Sequence, residues 1–297
     1  MWGRQHGVVV GVVDVGSNTV RLLVTRGDRT VLTEREMLHL GADVERRGEI
    51  TGEKLALVAE LVGRYADDAR AAGAVALEVL IASPGRQARN GETLREVLAA
   101  ASAAPTRILS AAEEGRLAFV GALAVATPPA RRPVAVVDVG GGSAQIVVGT
   151  RRDGPRWSRS IDLGAQRLTS RLLSADPPGR AAVWKARLEV EHYLTHVAPP
   201  PVHAGFAVGG SARGVKRIVG GRLGEDELED ALALLAVTSA AEVSKLYGMK
   251  LERAQTLAAG CALLAGLQRT LGTPLKVVRA GLREGVLAEL AAEALAA

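Results

Sequence analysis

The stretch Val12-Val13-Asp14-Val15-Gly16-Ser17 returns as Val136-Val137-Asp138-Val139-Gly140-Gly141-Gly142-Ser143, 124 positions later (138 minus 14). In each copy an apolar, β-branched run leads into Asp-Val-Gly, and a second strand-like stretch follows, residues 19–25 in the first and 144–150 in the second. The pattern predicts a strand, a tight loop and a returning strand, made twice. A Walker loop or a dinucleotide-binding fingerprint would pass from strand through glycines into a helix. Neither copy is followed by helical periodicity, and the chain contains no G-x-x-x-x-G-K-[ST].

Outward from the first hairpin, residues 51–72 read as an amphipathic helix with Leu55, Val58, Leu61, Val62 and Tyr65 on one face. Residues 74–81 read as a strand, 91–101 as a helix and 106–109 as a short strand. Ser110 is the expected N-cap of the next helix, and Glu113 three residues on completes a capping box. The run TPPARRP breaks periodicity ahead of the second hairpin, which predicts two domains, residues 1–121 and 122–297. Further on, DPPGR and APPPV bracket a helix, and residues 226–247 and 251–266 read as helices.

A chain of 297 residues suits two ordinary domains. Apolar residues are 48% of it and aromatics only 3%, so its cores must be built from Val, Leu, Ile and Ala, as in α/β proteins. The net charge of +5 comes mostly from Arg, which suits bidentate contact with phosphate oxygens and equally suits a solvated surface. The single cysteine, Cys261, lies in an apolar run, which excludes an intramolecular disulfide and fits a reducing cytoplasm. The N-terminal apolar run reaches Asp14 well short of a membrane span and reads as a first buried strand, so no membrane partner is expected.

The two loops carry the chemistry. Glycine lets phosphate oxygens approach the backbone, whose successive N–H groups then act as donors. Gly16, Ser17, Asn18 and Arg21 would hold one phosphate; Gly140, Gly141, Gly142 and Ser143 would hold another. A single loop of this kind is weak evidence, because turns use these residues widely; its recurrence after matching strands is the stronger signal. Asp14 and Asp138 bring carboxylates to an anion site, which makes electrostatic sense with a cation between, Mg²⁺ first and Mn²⁺ second. Either aspartate alone also reads as a turn-former. His192 and His196, four apart, lack a third ligand and read as a solvated pair. The basic run Arg213, Lys216, Arg217 and Arg222 has no interleaved aromatics, which argues against nucleic acid.

Together with these loops, IASPGRQARN (81–90), ILSAAEEGRLAFVGA (108–122), DLGAQRLT (162–169), AVGGSARGVKRI (207–218) and AGLREGVL (280–287) are similar to motifs of the exopolyphosphatase and guanosine pentaphosphate phosphatase family. That family is a branch of the actin and hexokinase superfamily. The resemblance implies an α/β fold of two actin-like (ribonuclease H-like, duplicated) domains closing on a central cleft, in a short two-domain form, as a cytoplasmic homodimer. It implies stepwise release of orthophosphate from the end of inorganic polyphosphate by metal-assisted attack of water. Guanosine pentaphosphate is the nearest alternative substrate, and a polyphosphate- or alarmone-binding member with weakened catalysis is another reading; a sugar or acetate kinase is disfavoured by the short chain and the phosphatase-like Glu segment.

The family's catalytic glutamate falls on Glu114, with Glu113 as its neighbour; without the resemblance, this pair reads as complementing a helix dipole. Arg86 and Arg283 match family arginines that line the phosphate groove. The sequence departs from the family where G-G-G-S-x-E becomes Gly-Gly-Gly-Ser-Ala-Gln, ending in neutral Gln145, which predicts weakened metal affinity. It also carries Ala111 and Gly115 where the family has Gly and Ala, and Gln255 for an Asp.

Overall fold

The computed structural model describes residues 7–296, so the first six residues of the expected N-terminal strand lie outside the described residues. The chain forms two compact units. One runs up to Glu114 and resumes at Arg283; the other is Gly115–Leu282.

The first unit contains β1 (Val9–Val15), β2 (Thr19–Arg26), β3 (Arg29–Met37), α1 (Leu40–Arg47), α2 (Gly52–Ala71), β4 (Ala76–Ile81), α3 (Ser83–Gln87), α4 (Gly91–Ser102), β5 (Thr106–Ile108) and the first turn of α5 (Ala111–Val125). Its sheet has the order β3-β2-β1-β4-β5, antiparallel across β1, β2 and β3 and parallel from β1 through β4 to β5. Central β1 is buried on both faces except at Asp14, which is why it reads as a continuous apolar run rather than an alternating one. The predicted face of α2 supplies Val58, Leu61, Val62 and Tyr65 to this core, together with Leu22, Val79, Leu94 and Leu98. Thr51 caps α2 by accepting the Lys54 N–H at 3.4 Å.

The second unit contains the rest of α5, then β6 (Val134–Val139), β7 (Ala144–Thr150), β8 (Gly154–Ile161), α6 (Ala165–Leu172), α7 (Arg180–Leu194), β9 (Ala204–Val208), α8 (Gly209–Val219), α9 (Glu225–Val237), α10 (Ala240–Tyr247), α11 (Leu251–Ala254), α12 (Leu257–Leu271) and β10 (Leu275–Val277). The last helix, α13 (Leu282–Ala296), belongs almost wholly to the first unit. The second sheet runs β10-β9-β6-β7-β8, which read from its other edge repeats the connectivity of the first. The duplication holds to the residue: Val15 faces Val20 and Asp14 faces Arg21 in the first hairpin, while Val139 faces Ala144 and Asp138 faces Gln145 in the second.

Two helices expected from the sequence are each divided. Residues 226–247 form α9 and α10, because Ser239 accepts the Glu242 N–H at 3.3 Å while the Glu242 carboxylate accepts the Ser239 N–H at 3.0 Å, a capping box that starts a new helix. Residues 251–266 form α11 and the start of α12, which continues to Leu271 and ends at Gly272 with φ +62°. Residues 257–268 of α12 are all buried, so this central helix has no polar stripe to mark its phase. Cys261 lies within it as a core residue, its Sγ 3.6 Å from the Leu228 carbonyl, and burial pushes its thiol up. Among the described residues no helix is long and apolar enough to cross a membrane.

Candidate active site

Both loops close in the same way. The Gly16 N–H donates to the Thr19 carbonyl at 3.0 Å, and the Gly140 N–H donates to the Ser143 carbonyl at 3.0 Å. Both are also tied back from one side. The Ser17 carbonyl accepts the Gly41 N–H at 2.8 Å, and the Asn18 carbonyl accepts those of Leu38 and His39 at 3.0 and 3.2 Å. In the second loop the Gly140 carbonyl accepts the Ala165 N–H at 2.9 Å, and the Gly141 carbonyl accepts those of Gln166 and Arg167 at 2.9 and 3.2 Å. The donors lie at the start of α1 in one unit and of α6 in the other, so each helix start neutralises the carbonyls of a loop. A trans peptide directs its N–H opposite to its C=O, so the N–H groups after these carbonyls point away from the helix. That is the polarity an anion requires. Gly41 and Gly164 permit the approach: a Cβ on Gly41 would lie 2.7 Å from the Ser17 Cβ, and one on Gly164 would lie 2.4 Å from the Gly141 carbonyl.

In the first unit the structure gathers most of the residues expected from sequence. Asp14 faces Arg21 across the hairpin, and Arg21 Nε donates to Thr19 Oγ1 at 3.1 Å. Burial pushes the Asp14 carboxyl above its ordinary value; Arg21 and then Arg283 oppose that rise, and Glu284 adds to it. Ser17 is buried, with its hydroxyl 2.8 Å from that of Ser83 at the start of α3. Asn18 Oδ1 is buried and has no hydrogen-bond partner among the described residues.

Glu114 is 8% exposed, and its Oε2 accepts Arg86 Nη2 at 2.7 Å; Arg86 Nη1 donates to the Leu109 carbonyl at 2.7 Å. Burial raises the Glu114 pKa against the lowering effect of Arg86, and Asp14 adds to the rise. Glu113 is engaged differently. Its Oε2 accepts the Ser110 N–H at 2.9 Å while Ser110 Oγ accepts the Glu113 N–H at 3.1 Å, the expected capping box, and its Oε1 accepts Arg107 Nη1 at 2.9 Å. Arg107 also pairs with Glu78. Helix initiation therefore occupies Glu113, while Glu114 points to Arg86.

In the second unit, Asp138 faces Gln145. Gly209 (φ +86°) opens α8 so close to Asp138 that a Cβ there would lie 2.5 Å from Oδ1. Gln145 is 2% exposed; its Nε2 donates to Ser143 Oγ at 2.9 Å, and its Oε1 is buried without a partner among the described residues. The departure at Gly115 has a local cause, since a Cβ there would lie 2.8 Å from Val147 Cγ2.

Other candidates fall away from this chemistry. α7 ends at Leu194, so exposed His192 and His196 do not share a helix face. Among the described residues no group of three or more His, Cys, Asp or Glu is arranged to hold a metal ion. Lys216 and Arg217 sit in the last turn of α8, where positive charge complements the helix dipole. Sequence reasoning gave no role to Ser83, Arg107, Gly209 or residues 38–41, although Ser83, before Pro84 at a helix start, and Gly209 lie in the segments 81–90 and 207–218 that carry the resemblance.

A duplicated five-stranded α/β sheet, with a glycine-rich hairpin loop backed by a helix start in each copy, defines a protein of the actin-like fold. The chain belongs to the Ppx/GppA phosphatase family, whose model matches residues 24–294. It is 27% identical over 300 residues to Exopolyphosphatase 1 of Mycobacterium leprae, covering 94% of this chain and 88% of that protein. It is 33% identical over 318 residues to an uncharacterized protein of Streptomyces coelicolor, covering 93% of this chain and 88% of that protein. Among solved structures, the Aquifex aeolicus Ppx/GppA family member matches with a TM-score of 0.81 at 23% identity, covering 96% of this chain and 98% of that one.

Proposed function

We propose that the chain is an exopolyphosphatase that releases orthophosphate from the end of inorganic polyphosphate by metal-assisted attack of water. The observation that carries this reading is the buried Glu114 carboxylate, held by Arg86 on one oxygen. A carboxylate whose pKa is raised by burial is a stronger base than one in water. Glu114 would orient the water and take its proton. Gly16, Ser17, Asn18 and Arg21 would bind phosphate oxygens in the first unit with Arg283, and Gly140, Gly141, Gly142 and Ser143 would do so in the second. The mycobacterial relative named as an exopolyphosphatase supports this substrate over guanosine pentaphosphate. The repeat in the chain is proposed to divide it at residues 1–121 and 122–297, and a cytoplasmic homodimer is the proposed setting.

The residues present fit Mg²⁺ or Mn²⁺ unequally. Asp138 faces Gln145, whose buried Oε1 lacks a protein partner, so this pair offers two oxygen donors to a hard cation. Asp14 is a poorer ligand, because Arg21 and Arg283 already offset its charge. A bound cation here would polarise phosphoryl oxygens and stabilise the charge that develops on them. The deciding measurement is orthophosphate release from long-chain polyphosphate and from guanosine pentaphosphate, side by side with Mg²⁺ or Mn²⁺. Faster release from polyphosphate is expected. Turnover of guanosine pentaphosphate alone would transfer the assignment to that substrate, and binding of polyphosphate without release would make the chain a non-hydrolysing binder.

A further inference from the structure

The resemblance put Arg86 among the phosphate ligands, yet both of its terminal nitrogens are already engaged within the first unit. Nη2 is 2.7 Å from Glu114 Oε2, and Nη1 is 2.7 Å from the carbonyl of Leu109, the residue before the N-cap of α5. Its side chain is 20% exposed. The guanidinium is planar and rigid, so fixing both nitrogens fixes its direction. The platform under it is stiff as well. The Ala88 N–H closes α3 on the Pro84 carbonyl at 3.0 Å, and the Leu109 N–H is held by the Ile81 carbonyl at 2.9 Å. Gly91 approaches so closely that a Cβ on it would lie 1.9 Å from the Gly85 carbonyl oxygen, so α3 rests directly on the start of α4.

Glu114 Oε1, by contrast, makes no protein hydrogen bond among the described residues. We propose that Arg86 is a positioning residue, which clamps Glu114 Oε2 so that Oε1 alone receives the proton of the attacking water. This rests on the reading of Glu114 as the base. In the step, one water O–H bond breaks and its proton moves to Oε1 as the water oxygen bonds to the terminal phosphorus. The bridging P–O bond breaks with its electron pair going to the shortened chain, orthophosphate departs, and the proton on Oε1 passes to solvent. A carboxylate free to rotate would present either oxygen at varying distance, and such loss of orientation lowers the rate of the chemical step rather than substrate affinity. A phosphate ligand would show the opposite split.

The experiment measures kcat and KM for polyphosphate with the full-length chain and its Arg86→Gln, Arg86→Lys, Glu114→Gln and Arg86→Lys/Glu114→Gln variants. Arg86→Gln is expected to lower kcat by about tenfold or more with KM changed by less than about threefold, and Arg86→Lys to recover part of that loss. Should Arg86→Gln fail to fold, the Lys series decides alone: the double variant is expected to be no slower than Glu114→Gln. A rise in KM with kcat preserved, or losses that multiply in the double variant, overturns the positioning role and leaves the base in place. Native turnover by Glu114→Gln removes the base itself, and this proposal with it.

Discussion

A buried carboxylate disfavours the folded state whenever it is ionised, and Glu114 stands in that position. Its pKa is raised because burial outweighs the opposing Arg86, with Asp14 adding to the rise. A raised folded-state value means that the residue favours folding below the ordinary carboxylate range, and that this contribution is lost as pH climbs through the raised value. Glu114→Gln cannot titrate. Its melting temperature, measured without metal, is therefore expected to gain on that of the native protein as pH rises from acid to neutral, while its turnover falls by about two orders of magnitude or more. A melting difference that stays flat or shrinks over that span would refute the electrostatic account. Gln145 poses the converse case, since its Oε1 is a neutral donor across from Asp138. Gln145→Glu is expected to lower the Mg²⁺ concentration needed for half-maximal activity, and an unchanged Mg²⁺ titration would sink that idea.

At the scale of elements, α5 shows how local signals and close packing share control. Ser110 and Glu113 could be read from sequence because a capping box depends only on a three-residue spacing, and the structure forms it. The hairpins were legible for the same reason, their β-branched apolar runs and glycines being local. The ties of the loop carbonyls to Gly41 and Ala165, the clamp of Arg86 on Glu114 and the pairing of Arg107 with Glu78 join residues distant in sequence, and no periodicity announces them. The merged reading of α9 with α10 failed because both flanks are apolar and the break rests on a single Ser-x-x-Glu box. Gly115, noticed only as a departure, acquires its reason from Val147. Alanine at 115 would gain helix propensity of about 1 kcal/mol, but overpacking against Val147 Cγ2 at 2.8 Å opposes it by about 1–3 kcal/mol. Gly115→Ala is thus expected to destabilise the native protein by about 1 kcal/mol in denaturant melts and to stabilise a Val147→Ala background. Equal effects in both backgrounds would refute the contact as the cause.

Across the whole molecule, duplication preserved the scaffold while the chemistry of the copies diverged. The hairpin registers agree position for position, yet the partner of Asp14 is the cation Arg21 and the partner of Asp138 is the neutral oxygen donor Gln145. The first unit therefore sets a cation across from its aspartate, and the second sets there a buried Gln145 oxygen that has no hydrogen-bond partner among the described residues. The chain as a whole carries a net charge of +5. Such a field attracts a linear polyanion over a Debye length of about 10 Å at 0.1 M salt, and added salt both screens it and removes the gain from releasing condensed counterions. A longer chain meets more of this field, whereas bond cleavage at its end involves only the terminal phosphates. KM for long-chain polyphosphate is accordingly expected to rise steeply between about 0.05 and 0.5 M KCl, KM for tripolyphosphate much less, and kcat for either only slightly. Parallel salt dependence for the two substrates would confine recognition to the loops and deny the chain's net positive charge any part in it.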